Sequence, residues 1–451
     1  MRRSSLLPSL AAFALLAGTA AGAGAATWSA PQTISQPHTF AGPLIAATRA
    51  DGGVVVGWPW QDNVGANAVG GWATATRAPA APTFGAQTPT VAGLTALGPF
   101  ARTQSIAVGM QAIPNSPGPG GAIRYRIRAS VNGGTARSLA VAATRGAPVL
   151  ASAPNSSSAL VAYIEFQKTS SGGIRRIVRT VDRRNGTWSA PSTISGRGHA
   201  DAIAAAMGSR GDAVVVFVRD GKLLARLRRP GHNWGSMQQL AVSAPSSRTS
   251  WSLAAAIDGR GQVRVVWRRH PFRGVSELRT AAVPVGRNTF TAPQTLIADG
   301  AAADFRIAPA APGWAIADVE TPAGQAPRPL LFTTTGSIPF GPGLTAAPPQ
   351  GGLRGAVVVA NGDGSLTVAW VQPLPDEDSD GQIRAATLPG TTAGAFGPVE
   401  DVSPAEAAHE VLLVPGQPGP TAVWTARPGG TGLSVPIAQL RTLVRVATRT
   451  P

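Results

Sequence analysis

Gly53-Val54-Val55-Val56-Gly57-Trp58 recurs as Gln262-Val263-Arg264-Val265-Val266-Trp267 and as Ser365-Leu366-Thr367-Val368-Ala369-Trp370. Weaker copies end at Met110, Tyr163, Phe217, Asp318 and Trp424, so the last residue of the stretch falls at 58, 110, 163, 217, 267, 318, 370 and 424. The spacing stays between 50 and 54 residues through all eight copies. A period that steady marks a repeat architecture. Val and an aromatic suit a pleated, buried strand. An apolar run of five or six, bounded by turn residues, suits a strand covered on both faces. The turns before it carry Asp51-Gly52, Asp258-Gly259, Pro312-Gly313, Asn361-Gly362-Asp363-Gly364 and Pro418-Gly419. Asn-Gly and Asp-Gly there are expected to supply the positive φ of a tight hairpin.

One repeat is too small to bury its own faces, and stacking neighbours around a ring solves that. A third strand follows each anchor, as in Ile123-Arg124-Tyr125-Arg126-Ile127-Arg128, which alternates strictly and so puts three Arg on one face. The fourth is the most legible: Thr27-Trp28-Ser29-Ala30-Pro31-Gln32-Thr33-Ile34-Ser35 returns over residues 187–195 and, with Phe290 for Trp, over 289–297. Pro in a strand belongs on an edge, so this is the outer strand. The chain opens on an outer strand and stops where the next would begin, so the N-terminal copy is expected to complete the last repeat. The sequence therefore predicts an all-β fold: a β-propeller of eight four-stranded blades closed by the N-terminal outer strand, with seven blades as the alternative. It predicts no helix of consequence.

Arg2 and Arg3, an apolar stretch over 6–16 and Ala23-Gly24-Ala25 read as a secretory signal peptide over residues 1–25. Residues 26–451 read as a single propeller domain, expected to be secreted and monomeric, without a membrane span. The chain has no Cys, hence no disulfides, and about 425 residues bury a large core without them. The formal net charge is +17, almost all of it Arg, since Lys occurs only at 168 and 222. That charge suits attraction to a polyanion. It equally suits a GC-rich genome that writes Arg for Lys. Without a recognised reading module it does not point to nucleic acid.

The Trp-Ser-Ala-Pro outer strand, following an Asn-Gly turn in Asn185-Gly186-Thr187-Trp188, resembles the secreted bacterial propellers related to sialidases and their S-x-D-x-G-x-T-W Asp-box repeats. The resemblance covers nearly the whole mature chain at the level of architecture. Sialidase chemistry needs an Arg triad, a Tyr–Glu nucleophile pair and an Asp acid/base. Phe305-Arg306-Ile307-Ala308-Pro309 resembles the first Arg segment with an Ala inserted, but it lies in the sixth repeat. Only Tyr125 and Tyr163 are available, and Tyr163 holds an anchor position, so it is expected in the core beside Glu165. The family's catalytic residues therefore do not carry over.

Propellers bind on one face, around the channel. The loops leading into each innermost strand carry His38, His199, Asp201, Asp304 and His409, and those joining second to third strands carry Trp60, Asp62, Arg268, Arg269 and His270. Four of the five His fall on this face, His232 being the exception, and loop residues are where binding concentrates. Arg268-Arg269-His270 with Trp60 suits an anionic or sugar ligand. The expectation is a non-enzymatic binder of a glycan, another anionic cell-envelope polymer or a protein partner. A glycan hydrolase using Asp201 and Asp304, which requires two carboxylates about 5–10 Å apart, and a scaffold without a small-molecule site are the alternatives. Asp376, Asp378 and Asp380 in Asp376-Glu377-Asp378-Ser379-Asp380-Gly381 form the front half of a Ca2+ loop. Its back half is missing, since Arg384 and Thr387 stand where ligands belong.

Overall fold

The computed structural model describes residues 27–450, apart from 39, 42, 63–68, 91–93, 101–103, 133, 145, 154–155, 243–248, 272–275, 299–304, 312, 323–324, 336–338, 375–380, 391–393 and 428–440. The segment read as a signal peptide lies outside them. The described residues are all-β, with one 3-10 turn at Pro119–Gly121 as their helical element. None of their helices is long and apolar enough to cross a membrane.

The strands pair antiparallel in sequence order, and each sheet is named here by the anchor on its second strand. The Phe217 sheet runs Ala200–Met207, Ala213–Arg219, Lys222–Arg228, Gln238–Val242. The Met110, Trp267 and Asp318 sheets follow the same four-strand plan. The Trp58 sheet has its innermost strand broken into Phe40–Ala41 and Ile45–Thr48, and the Tyr163 sheet has its outer strand broken into Thr187–Trp188 and Ser192–Thr193. The Trp370 and Trp424 sheets are joined through the Gly381–Ala408 pair. The innermost strand of each sheet packs against that of the next, and Ala408–Val414 in turn packs against Ile45–Thr48.

Seven of the eight anchors are buried strand residues, and Met110 is half-buried. Trp58, Phe217, Trp370 and Trp424 are fully buried, with Trp267 at 1% and Tyr163 at 2% exposure. Burial raises the Tyr163 phenol above its ordinary pKa, Glu165 adds to the rise, and Arg179 opposes it. Thr27–Trp28 pairs with the last strand, Trp28 opposite Arg449, and Gln32–Thr33 pairs with Val446 and Arg445.

The turns meet the sequence expectation in part: Gly52 and Gly364 have positive φ (87° and 85°), whereas Gly259 does not. Asn185 and Gly186 (φ 50° and 80°) and Asp220 and Gly221 (φ 51° and 72°) are two-residue turns with both centres left-handed. The turns entering the anchor strands are longer. In Asp258-Gly259-Arg260-Gly261 the positive φ lies on Gly261 (82°), whose N–H donates to Asp258 O, while Asp258 N–H donates to Gln262 O. Gly52 and Gly364 hold the same place after Arg49 and Asn361. An ordinary turn closed by a left-handed Gly bulge is the three-residue hairpin solution. Asp258 at its start caps Arg260 and Gln262 N–H groups with Oδ1, at 3.0 and 2.8 Å.

The outer strands are stapled to one another by one recurrent side chain. Four residues after the outer aromatic stands Gln32, Gln238 or Gln294. Gln32 Nε2 donates to Phe84 O (3.0 Å) and its Oε1 accepts from Phe84 N–H (2.9 Å). Gln294 does the same to Phe340 at 2.9 and 2.9 Å. Gln238 accepts from Phe290 N–H (3.0 Å) and donates to Asn288 O (2.7 Å). One half-buried carboxamide thus satisfies a donor and an acceptor of the neighbouring sheet. Gln294→Ala is expected to cost about 1–2 kcal/mol in denaturant melts, because both Phe340 groups lose their partner. A cost no larger than that of an exposed Gln239→Ala control would show that the staple carries no stability.

Candidate functional site

Among the described residues, two side-chain clusters bring residues of the expected loop face together, at two different junctions between sheets. The first lies where the Tyr163 sheet meets the Phe217 sheet. A cavity of about 420 Å3 opens there, lined by Ile164, Phe166, Ile174, Arg176, His199 and Asp201 among others. Its geometry follows from strand order. Arg176 sits near the start of a third strand, Ile174–Arg184, and the innermost strand of the next sheet begins at Ala200. The two meet directly: Arg176 and His199 form a parallel bridge, and Arg176 N–H donates to Gly198 O at 3.3 Å. Arg176 Nη1 lies 2.6 Å from Asp201 Oδ1, with 34% and 47% of the two side chains exposed. The His199 N–H donates to Asp220 Oδ1 (2.9 Å), which fixes the loop below it. The result is a solvated guanidinium–carboxylate pair beside an apolar wall. Such a pair both donates and accepts, and Phe166 offers a flat apolar surface next to it.

The second cluster ties the chain's ends together. His38 is 3% exposed, and its backbone exchanges hydrogen bonds with Thr442, at 3.2 and 2.6 Å. Its ring stacks on Trp60 (4.6 Å between centroids, 17° between planes), and Nδ1 lies 3.1 Å from Asp62 Oδ2. Arg441 reaches the other Asp62 oxygen at 3.7 Å. His38, Trp60 and Asp62 do come together, but the imidazole is buried and faces the seam between the two ends of the chain.

Arg268 requires a correction. It was expected on the loop face, yet it is fully buried and ion-paired with the equally buried Asp318. The reason lies in the repeat: Asp318 occupies an anchor position where a Trp or another large side chain stands elsewhere, and a buried carboxylate demands a cation. Arg268, one residue beyond the preceding anchor, supplies it. Arg269 faces Glu277 at 3.4 Å, and His270 sits between the Ser252 and Ser276 hydroxyls at 3.5 and 3.2 Å. His409 is exposed on the innermost strand Ala408–Val414. Asp304 and the Asp376, Asp378 and Asp380 set lie outside the described residues. Among the described residues no group of three or more His, Cys, Asp or Glu side chains is placed to hold a metal ion. Glu165 is ion-paired with Arg179 at 2.7 Å, so Tyr163 is a buried phenol two residues from a carboxylate already engaged by an arginine.

No protein-family model and no curated protein matches the sequence. Solved structures do resemble it in overall course. The NanB sialidase of Streptococcus pneumoniae is 10% identical, with a TM-score of 0.39 over 92% of this chain and 70% of its own. A protein of unknown function from Dyadobacter fermentans is 11% identical, with a TM-score of 0.40 over 94% of this chain and 99% of its own. A prolyl endopeptidase is 12% identical at a TM-score of 0.43, and the chain spans about half of its length, 54%.

The sequence marks Arg176 only as one of the arginines (175, 176 and 179) lining a third strand, and it gives no sign of Phe166 or of the pairing of Arg176 with Asp201. Arg176 and Phe166 both sit on strands whose neighbours belong to the same repeat. The signal was the repeat register itself. The start of a third strand meets the beginning of the next innermost strand at Arg176–His199 and again at Gly381–Ala408. Residue 176 could therefore have been set beside 199 from the spacing alone.

Proposed function

We propose that the mature chain is a secreted eight-bladed β-propeller, closed by its N-terminal outer strand, that binds a glycan or other anionic cell-envelope polymer without catalysis. The observation that carries this reading is the cavity between the Tyr163 and Phe217 sheets. Its 420 Å3 falls within the range of small-ligand sites. One polar pair and an aromatic wall are what a sugar ring requires. Vicinal hydroxyls donate to Asp201 and accept from Arg176, while the C–H face of the ring covers Phe166. The eight-bladed reading is supported by the succession of innermost strands from Ile45–Thr48 round to Ala408–Val414 and back. It is also supported by the pairing of residues 27–33 with the final strand. Asp201 Oδ1 and Arg176 Nη1 lie 2.6 Å apart, so a hydroxyl that reaches one of them is within reach of the other.

A glycan array probed with the mature chain and with an Arg176→Ala, Asp201→Ala variant tests the site. Both side chains are substantially exposed, so the variant is expected to fold. Binding to the best array ligands is expected to fall at least about tenfold, the loss of one charge-assisted contact or more. Unchanged binding would remove the site, and release of a cleaved glycan would replace binding with hydrolysis.

A further inference from the structure

The outer flank carries a groove at the one point where the Gln staple is replaced by a shorter residue after a well-formed Trp-Ser-Ala-Pro strand. Four residues after Trp188 stands Ser192, where Gln32, Gln238 and Gln294 stand after theirs. A Ser hydroxyl is too short to cross, and Ser192 Oγ stays within its own sheet, 3.1 Å from Thr180 Oγ1. The Trp234 backbone amide on the facing sheet, which corresponds to Phe84 and Phe340 N–H, is left without that acceptor. A groove of about 610 Å3 lies in the gap, walled by Trp188 and Trp234 and edged by Ser192, Thr193 and Asn233.

The charge of the groove follows from its pairs. Asp182 is ion-paired with Arg228, whose guanidinium lies 4.9 Å over the Trp234 ring. Arg226 is spent on the carbonyls of Gly235 and Ile194, at 2.8 and 3.3 Å. Arg184 is exposed and makes no ion pair among the described residues. The groove therefore offers one guanidinium with bonding capacity to spare, two indoles and a hydroxyl-rich edge.

We propose that this flank groove is a second binding site, for a carboxylated saccharide such as a uronic-acid oligomer. A pyranose ring lies against an indole, as aromatic faces take apolar C–H surfaces. Its carboxylate pairs with Arg184, a guanidinium built for that geometry. A ring or carboxylate oxygen takes the place of the missing Gln Oε1. The site is independent of the loop-face cavity and shares no residue with it.

Calorimetric titration of the mature chain with trigalacturonate, and with triglutamate as an acidic peptide control, tests this. Trigalacturonate is expected to bind and triglutamate to bind at least tenfold more weakly. Ser192→Gln puts the staple into the groove. It is expected to weaken trigalacturonate binding at least tenfold with no loss of melting temperature. Arg184→Glu is expected to weaken it comparably, and Arg176→Ala, Asp201→Ala to leave a binding event intact. No trigalacturonate binding, binding indifferent to both flank variants, or equal binding of triglutamate would each overturn the proposal.

Discussion

Asp318→Ala is expected to cost about 3–5 kcal/mol of folding free energy, because it leaves the Arg268 guanidinium buried without its counter-ion. Both side chains have no exposed surface, so water cannot take over the role of the carboxylate. The Asp318 Oδ1 atom also accepts from Val319 N–H at 2.8 Å, so the carboxylate organises its own strand as well. The same reasoning predicts a strongly non-additive pair. Arg268→Met combined with Asp318→Leu removes both charges and leaves apolar volume. It is expected to recover most of the loss, since replacing a buried ion pair by packed hydrophobic groups is often close to neutral. Equilibrium denaturation of the two single variants and the double variant reads this directly. A loss below about 1 kcal/mol for Asp318→Ala would mean that the pair is solvated and the packing of this junction is wrong.

Deletion of residues 27–35 is expected to be larger still in effect. The segment contributes backbone bonds from Ser29 N–H to Thr448 O and from Ile34 N–H to Val444 O, both 2.9 Å. Its Ser35 and Ser29 hydroxyls accept from Val444 and Thr448 N–H, at 2.7 and 3.1 Å. Gln32 staples it to Phe84 on the Trp58 sheet. Ile34 is 5% exposed within the same core as Trp58 and Val444. Losing Ile34 alone accounts for about 2–4 kcal/mol, and the unpaired edge of the last strand invites association with another chain. The deleted protein is expected to melt well below the intact chain and to aggregate on heating. An unchanged melting curve would show that the segment does not hold the ends together.

The strands, their order and the outer-strand role of the Pro-bearing motif were legible because a period near 52 residues repeats the same burial pattern. The pairing of Trp28 with the last strand was legible for a related reason: an outer strand without a sheet and a sheet without an outer strand identify each other. The turn chemistry was only half legible. Asp258-Gly259 looks like a two-residue hairpin, but the left-handed residue is Gly261, and nothing in the dipeptide fixes the loop length. Arg268-Arg269-His270 looked like a solvated loop. Asp318 at an apolar anchor was the clue that one of those arginines had to go inside. The Gln staple stands in two of the three clear copies of the motif, at Gln32 and Gln294, yet its partner lies one repeat away. Contacts between repeats are what a single repeat cannot reveal, and the loop-face cavity, the Arg268–Asp318 pair and the flank groove are all of that kind.

A crystal structure of residues 26–451 soaked with the strongest glycan-array ligand tests the functional reading most directly. The expected result is ligand density in the cavity between the Tyr163 and Phe217 sheets, with hydroxyls on Arg176 and Asp201 and a ring face on Phe166. Density seated elsewhere on the loop face, with that cavity filled only by solvent, would contradict it.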